Sequence, residues 1–328
     1  MVDVYLGVDV GSVSTNVAVL KADGNVIDTV YLRTRGQPIA AVQGALKKVR
    51  NNLGHLNVLG VGTTGSGRDL AGVVIGADVV KNEITAHAIA AMHIVPNVKT
   101  IIEIGGQDSK IIIIRGGVVT DFAMNTVCAA GTGSFLDQQA ARLNIPIEEF
   151  GPRALLSTVP VRVAGRCAVF AESDMIHKQQ AGHQMADILN GLCQALVRNY
   201  INNVGKGKVI ESPVVFQGGV AANSAMKQCF EAALGFQVLV PEHYAVMGAI
   251  GAALIAKEAG SKGRSCFHGF DLVDADYQTG GFECGGCPNT CEVVETKLNK
   301  NVLARWGDRC GRWSNALGET PNFCNTSG

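Results

Sequence analysis

Residues 4–20 read VYLGVDVGSVSTNVAVL, and residues 99–114 read KTIIEIGGQDSKIIII. Both stretches consist of an apolar strand that ends in an acidic residue, a turn that contains glycine, and a second apolar strand. A shift of 94 positions places Asp9 on Glu103. Because such strands and turns are typical of β-hairpins, the repeat predicts two related α/β halves that each begin with a β-meander.

The overall composition argues against several classes of protein. The 328 residues include 28 basic and 28 acidic side chains, so the excess positive charge typical of nucleic-acid binding is missing. No uncharged apolar run reaches the roughly 18 residues that a membrane span requires, and the chain starts in a β pattern instead of a signal peptide. We therefore expect a cytoplasmic protein that binds neither nucleic acid nor membrane. In that compartment its ten cysteines indicate metal, redox or core roles.

The order of predicted elements divides the chain into three parts. One half is expected to combine residues 1–81 with 245–262, and the other half to span 82–244. From 263 to 328 apolar periodicity fades, which predicts a small Cys-rich module or an irregular tail. Helices are predicted over 37–53, 82–95, 132–143, 168–203 with a break at Gly182, 222–234 and 245–259.

The glycine turns predict a nucleotide site. Their backbone amides suit phosphate, and Asp9 and Asp108 are the expected partners of Mg²⁺, mostly through water. The chain has no GxxxxGK[ST] P-loop and no clean GxGxxG after its first strand. The candidate nucleotide contacts are Asp9, Gly11, Ser12, Ser14, Thr15, Gly105, Gly106, Gln107, Gly131, Thr132, Gly133, Gln217, Gly218, Gly219 and Asn223.

The order of these features resembles the actin-like ATPase superfamily of sugar kinases, actin and heat-shock chaperones. Two acid-bearing turns are followed by the glycine turn at Gln217 and by an Ala/Gly-rich helix over 245–259. The resemblance implies an actin-like (ribonuclease H-like) α/β fold with two duplicated halves around a cleft for ATP or ADP. The alternative at this point is a duplicated structural unit without nucleotide.

Two cysteines each stand just before a predicted helix. Cys128 precedes the helix that begins near Gly131–Ser134, and Cys167 precedes the run that begins at Ala168. The helix dipole and the free N–H groups at such positions favour a thiolate. One chain thus offers two thiolates, whereas a [4Fe–4S] cluster takes four, which a two-fold dimer would supply. The alternative is a pair of core or merely reactive cysteines.

Around these cysteines the sequence resembles the activators of 2-hydroxyacyl-CoA dehydratases, which belong to an ATPase family that also serves benzoyl-CoA reductase. The motifs that carry the resemblance are Val8–Ser12, Glu103–Lys110, Asn125–Ser134 and Gln217–Ala221. The match covers about residues 1–260. It implies a homodimer that holds one [4Fe–4S] cluster through Cys128 and Cys167 of both subunits.

The same resemblance implies an activity. Ferredoxin or flavodoxin would supply an electron, and ATP hydrolysis would drive it at low potential into a partner iron–sulfur enzyme. That partner would be a 2-hydroxyacyl-CoA dehydratase or a related enzyme with a double-cubane cluster. Water would be the acceptor of the γ-phosphoryl group, and Glu103, Gln107 and Asp108 are equal candidates to orient it.

The tail has cysteines at ligand-like spacing. Four thiolates suit structural Zn²⁺ or a second cluster, and a metal would help a core-poor segment to fold. Free or redox-active thiols are the alternative, and Cys266 or Cys324 is an alternative ligand. The four candidate ligands are Cys284, Cys287, Cys291 and Cys310.

Two other functions remain open on the same fold. One is a small-molecule kinase, which would need a sugar-binding surface and a catalytic carboxylate. The other is a regulatory ATPase whose cysteines sense redox state. Neither of them requires iron, so the iron content of the protein separates them from an electron-transfer ATPase.

Overall fold

The structure is a computed structural model that describes residues 2–125, 127–260, 265–298 and 300–314. Contacts between residues divide the chain into two compact units. The first unit combines Met1–Ala86 with Gly248–Gly328, and the second is the continuous stretch His87–Met247. Thr126 and Cys324, which the sequence predictions include, lie outside the described residues.

Strands and helices alternate along most of the chain. The strands are β1 Val2–Val10, β2 Ser14–Lys21, β3 Val26–Arg33, β4 Leu56–Thr64, β5 Val79–Val80, β6 Thr100–Ile104, β7 Ser109–Arg115, β8 Val118–Asn125, β9 Val214–Gln217, β10 Val238–Leu239, β11 Tyr277–Glu283, β12 Glu292–Leu298 and β13 Asn301–Trp306. The helices are α1 Pro38–Leu53, α2 Arg68–Ile75, α3 Glu83–Ile94, α4 Gly133–Arg142, α5 Ile147–Ala154, α6 Ala168–Gln180, α7 Met185–Asn203, α8 Ser224–Leu234 and α9 Met247–Ala259.

Each unit contains a five-stranded mixed sheet of the same topology. The orders are β3-β2-β1-β4-β5 in the first unit and β8-β7-β6-β9-β10 in the second. In both sheets the first three strands form an antiparallel meander, and the later strands add in parallel. The duplicated α/β fold that the sequence predicts is therefore confirmed.

The register of the two meanders repeats as well. In the first unit Asp9 lies opposite Asn16, and in the second Glu103 lies opposite Lys110. Glu103 follows Asp9 by 94 positions, and Lys110 follows Asn16 by the same 94 positions. The shift found in the sequence therefore also relates the two sheets in the structure. The two acids consequently occupy equivalent positions at the ends of β1 and β6.

Apolar side chains on the sheet faces form a separate core in each unit. In the first unit, residues of β1 such as Leu6 and Val8 pack with Leu46 of α1. In the second unit, isoleucines of β6 and β7 pack with Phe216 and Tyr200. The apolar runs of the sequence thus lie in strands that are covered by helices, as expected for mixed α/β sheets.

The small residues of α9 allow it to lie directly on the first sheet. A Cβ atom on Gly7 would lie 1.8 Å from the carbonyl oxygen of Ala249, and one on Gly62 would lie 2.1 Å from that of Ala252. Such distances are far shorter than a van der Waals contact, so the helix and the strands touch backbone to backbone. Only glycine fits at these two strand positions.

Most helix predictions agree with the structure within a few residues. The long predicted run 168–203 is interrupted where Gly182 was proposed as the break, because α6 ends at Gln180 and α7 begins at Met185. Two short helices, α2 and α5, were not predicted. None of the helices in the described residues is both long and apolar enough to cross a membrane.

The tail contains regular structure that the sequence analysis did not predict. Its three strands form an antiparallel sheet in the order β11-β12-β13. The segment that precedes this sheet packs on α1, where the Gln43 amide donates to the carbonyl oxygens of Leu272 at 3.0 Å and Ala275 at 2.8 Å. The contact pattern therefore groups the described tail with the first unit.

A Gly62→Ala substitution tests the backbone contact of α9. The added methyl group would overlap the Ala252 carbonyl, so we expect a loss of about 1–3 kcal/mol in the free energy of unfolding. Gly44→Ala is the matched control, because a Cβ there meets only Leu32 at 3.5 Å and alanine favours the interior of α1. Denaturant unfolding measures both variants. Equal stability of Gly62→Ala and wild type would contradict the contact.

Candidate functional site

The candidate site residues fall in both units, and each set has its own geometry. In the first unit the turn after β1 is closed by the Gly11 N–H, which donates to the Ser14 carbonyl at 2.8 Å. The Thr34 hydroxyl donates to the Gly11 carbonyl at 2.9 Å and lies 3.0 Å from the Thr15 hydroxyl. Since a hydroxyl carries one proton, Thr15 donates to Thr34. Thr15 therefore holds the turn, whereas Ser12 is exposed.

A second turn of the first unit approaches Asp9. Gly65 follows β4 with a φ of 89°, and a Cβ on it would lie 2.4 Å from Asp9 Oδ1. Thr64 lies opposite Asp9 in the parallel pair of β1 and β4. The hydroxyls of Thr63 and Thr64 are buried and have no hydrogen-bond partner among the described residues. The sequence analysis assigned no role to these threonines, although the TTGSG pattern after a strand was visible.

In the second unit a buried lysine joins two of the predicted acids. Lys110 Nζ lies 2.9 Å from Glu103 Oε2 and 2.7 Å from Asp108 Oδ2. The side chains of Lys110 and Glu103 are almost completely buried, while about a third of the Asp108 side chain is exposed (32%). Gln107 is exposed. The sequence analysis assigned no role to Lys110, so this ion pair was not predicted.

The third glycine turn lies beside the same acid. Gly218 has a φ of 89°, and a Cβ on it would lie 2.6 Å from Glu103 Oε1, so only glycine fits. Gln217 Nε2 is 2.8 Å from His87 Nδ1. Burial, and then the charge of Lys110, lower the pKa of His87 to about 3. The imidazole is thus neutral, and its Nδ1 can accept from the Gln217 amide.

Asn223 caps a helix through its side-chain oxygen, while its Nδ2 has no hydrogen-bond partner among the described residues. Its Oδ1 accepts from the N–H groups of Ala225 at 3.0 Å and Met226 at 3.2 Å, which caps α8. An N-cap oxygen of this kind satisfies amides that have no partner within the helix. The structure therefore gives Asn223 a structural function at the end of the Gly218–Gly219 turn.

The start of α4 fixes the turn between β6 and β7. The N–H groups of Gly133 and Ser134 donate to the carbonyls of Gly105 at 2.9 Å and Gly106 at 2.8 Å. The Thr132 hydroxyl donates to Ala129 at 2.9 Å. These first amides of α4 thus hold the glycine turn in place.

The segments that carry the two predicted cluster cysteines are in contact, although 39 positions separate these cysteines in the sequence. Cys128 Sγ is 3.8 Å from the carbonyl oxygen of Arg166, the residue before Cys167. Asn199 links both segments, since its Nδ2 lies 2.5 Å from the Gly165 carbonyl and 3.9 Å from Cys128 Sγ. Cys167 directly precedes α6, and Cys128 directly precedes a single 3₁₀ turn. Cys167 thus lies at the start of an α-helix as predicted, whereas Cys128 is separated from the start of α4 at Gly133 by this turn.

Three apolar side chains near this pair are exposed. Val127 is 94% exposed, Val169 is 68% exposed and Phe170 is 67% exposed. The side chain of Asn125 fixes the backbone of Cys128, because its Oδ1 accepts from the Cys128 N–H at 2.9 Å and its Nδ2 donates to the Cys128 carbonyl at 2.8 Å. The thiols are therefore held rigidly at a surface that has apolar character.

The four tail cysteines are not gathered in this way. Cys284 is buried and accepts from the Trp313 indole N–H at 3.1 Å, and this hydrogen bond lowers the pKa of its thiol. Cys287 and Cys310 are exposed. Within the described ranges, no three His, Cys, Asp or Glu side chains come together as a metal site requires. The structure thus supplies no four-thiol site for the metal that the spacing suggests.

Comparisons with known proteins agree with the fold. The sequence profile of the BadF/BadG/BcrA/BcrD ATPase family matches residues 6–256. The (R)-2-hydroxyglutaryl-CoA dehydratase activating ATPase of Acidaminococcus fermentans is 34% identical over 261 residues, which cover 78% of this chain and 98% of that protein. The activator of lactoyl-CoA dehydratase of Anaerotignum propionicum has the same identity and coverage.

A solved structure is similar too. It is the activator of the 2-hydroxyisocaproyl-CoA dehydratase from Clostridium difficile with bound ADPNP. Its TM-score is 0.72 at 29% identity, covering 78% of this chain and 95% of that one. The described tail from residue 265 lies outside the residues that the family profile matches.

Lys110→Met tests the buried ion pair. Removing the ammonium leaves the carboxylate of Glu103 in a buried site without this cation, so we expect a loss of about 3–5 kcal/mol in the free energy of unfolding. Lys99→Met is the control, because Lys99 pairs with Glu211 at 2.9 Å on the surface, and about 1 kcal/mol or less is expected there. Similar losses in the two variants would contradict the analysis.

The neutral state of His87 predicts a pH dependence. The unfolded chain takes up a proton near the ordinary pKa of 6.5, whereas the folded chain does so only near 3. Stability should therefore fall as the pH drops from about 6.5 towards 3, by up to about 1.4 kcal/mol per pH unit from this group. Urea unfolding at several pH values should give a flatter profile for His87→Gln, while the exposed His55→Gln keeps the wild-type profile. If the stability of His87→Gln and of wild type fell equally with decreasing pH, His87 would be excluded as the origin of the pH dependence.

Proposed function

The chain belongs to the BadF/BadG/BcrA/BcrD ATPase family, and from this premise we propose that it couples ATP hydrolysis to low-potential electron transfer into a partner iron–sulfur enzyme. It is an ATPase, and its named relatives are activators of dehydratases. The proposal extends this to a homodimer that carries one [4Fe–4S] cluster. The observation that carries it is the contact between the Cys128 and Cys167 segments.

The chemistry of the donor set fits such a cluster. Two thiols from each of two copies give the four thiolates that a [4Fe–4S] cluster requires. Asn125 fixes the backbone of Cys128 through its side-chain amide. The exposed Val127 and Val169 are suited to contact a second copy. When bound, the cluster would accept and release single electrons, and this chain's role is to hold it at a dimer surface.

The nucleotide half of the proposal is supported by features of each unit. Hydroxyls such as that of Thr64 are buried without a partner among the described residues, and the glycine turns bring backbone close to Asp9 and Glu103. Buried polar atoms normally have partners, so a ligand with many oxygens suits these positions. Mg²⁺ would be held by Asp9 and Asp108, mostly through water.

The exposure of the three candidates supports two of them for orienting the hydrolytic water. Glu103 is buried and tied to Lys110, whereas Gln107 is exposed and Asp108 is partly exposed. Asp108 contacts Lys110 through Oδ2, which leaves Oδ1 to accept a proton or a hydrogen bond. We therefore assign the orientation of water to Asp108 and Gln107, and the positioning of their turn to Glu103.

The remaining parts of the proposal concern location and partners. The expected setting is the cytoplasm, with ferredoxin or flavodoxin as the electron donor. The acceptor would be a 2-hydroxyacyl-CoA dehydratase or a related enzyme with a double-cubane cluster. Conformations that differ in their affinity for nucleotide can differ in the surroundings of Cys128 and Cys167, and this difference would couple hydrolysis to redox state.

The iron and acid-labile sulfide content of anaerobically purified protein tests this function. We expect about four irons per dimer, lost in Cys128→Ser and in Cys167→Ser because each removes a ligand. Cys229→Ser is the control, since this cysteine is buried elsewhere in the second unit and should leave the iron content unchanged. Asp9→Asn should keep the iron and lower the ATPase rate.

The outcomes separate the candidate functions. Wild-type protein without iron but with ATPase activity would exclude electron transfer and favour the kinase or regulatory function. Full iron in either Cys128→Ser or Cys167→Ser would exclude that residue as a ligand. Far-UV circular dichroism, measured on every variant, reports whether the protein is still folded.

A further inference from the structure

A groove of about 1090 Å³ lies beside Cys167 in the second unit. One wall is the segment 162–170, and the other is the C-terminal part of α7 with the residues that follow it. We call it the basic groove, because its charged lining residues all carry positive charge. These cations are Arg162, Arg166, Arg198 and Lys206.

The cations of the basic groove are not neutralised within the described chain. None of the four forms an ion pair with a described carboxylate, whereas two other cations of the second unit do so: Arg142 pairs with Glu172 at 2.7 Å and Lys208 pairs with Asp121 at 2.7 Å. Burial lowers the pKa of Arg198, and the nearby charge of Arg162 lowers it further. Because the whole chain has no net charge, this is a local excess of positive charge.

The walls of the groove are held in place by hydrogen bonds. Arg198 donates to the Val163 carbonyl at 2.8 Å, and the Asp174 carboxylate accepts from the Ala164 N–H at 2.8 Å. Asn199 donates to the Gly165 carbonyl. The positive surface is therefore preformed, which lowers the entropic cost of binding a partner.

The size and lining of the groove favour a protein over a small anion. Its volume is as large as the upper range of small-molecule pockets. The largely exposed Phe170 lines it together with the cations. An aromatic side chain among arginines is typical of protein interfaces, where aromatic residues and arginine are enriched.

We propose that the basic groove docks the acidic surface of the protein that delivers electrons to this chain. The inference rests on the proposed function, since it takes Cys167 in the groove lining to mark the redox centre. Complementary charge orients a weak redox partner and raises its association rate. Docking makes and breaks no covalent bond, and it places the acidic surface next to Cys167.

The test is the affinity of a ferredoxin with an acidic surface for the purified full-length protein. The double variant Arg162→Glu with Lys206→Glu reverses two groove charges, and we expect about tenfold weaker binding or more at low ionic strength. Lys47→Glu with Lys48→Glu is the matched control, because both lysines are exposed on α1 and the change in net charge is the same. The control should stay within about twofold of wild type, because neither lysine lines the groove.

Salt and phosphate complete the test. Wild-type affinity should fall as chloride rises, and the groove variant should be less sensitive to chloride. Unchanged ferredoxin affinity in the groove variant would overturn the docking site, and so would equal weakening in both double variants. Displacement of ferredoxin by inorganic phosphate at matched ionic strength would identify a small-anion site and also overturn the proposal.

The outcome can be separated from that of the proposed function. Ferredoxin affinity reports on the groove, whereas iron content reports on the proposed cluster, so the two measurements can fail independently. If the wild-type protein contains no iron, the electron-transfer function fails. Groove-dependent ferredoxin binding in that same protein would still support the docking surface.

Discussion

The ammonium group of Lys110 is the constraint on which the second unit depends. Removing an ammonium from water costs several kcal/mol unless acidic partners and hydrogen bonds compensate, so the surroundings of Lys110 must be closely specified. Two short ion pairs provide the compensation, one from Glu103 on β6 and one from Asp108 in the turn before β7. The buried Tyr200 hydroxyl donates to the Lys110 carbonyl at 2.7 Å and connects α7 to the same strand. The glycine turn between β6 and β7 is thereby fixed from both ends.

Much of this arrangement could be predicted from the sequence, because it depends on local patterns. The repeated strand–turn–strand stretches predict both meanders and their 94-residue shift. The Ala/Gly-rich sequence of α9 predicts a helix that packs closely on its neighbour. In the structure, Gly7 and Gly62 of the first sheet contact its backbone. The tail strands were missed, since Gly280 and Gly281 interrupt the alternation that indicates a strand.

Other parts of the candidate site could not be predicted, because they depend on tertiary contacts. The single lysine that begins the run KIIII was a visible signal, but only the register of β6 and β7 places it opposite Glu103. The adjacency of Cys128 and Arg166 has no periodic basis, since the loop, α4 and α5 lie between them. The hydrogen bond of Thr15 also could not be predicted from a local pattern. Its hydroxyl donates to the Thr34 hydroxyl, which in turn donates to the Gly11 carbonyl and holds the turn.

The order of the units along the chain has a consequence for biosynthesis. The second unit is one continuous stretch, so it can fold as soon as it has left the ribosome. The first unit cannot be completed at that stage, because α9, which covers Gly7 and Gly62, is translated after Met247. At ordinary elongation rates the first sheet waits roughly ten to thirty seconds for this helix. During that interval the part of the first sheet that α9 covers is exposed, and transiently exposed apolar surface of this kind favours aggregation.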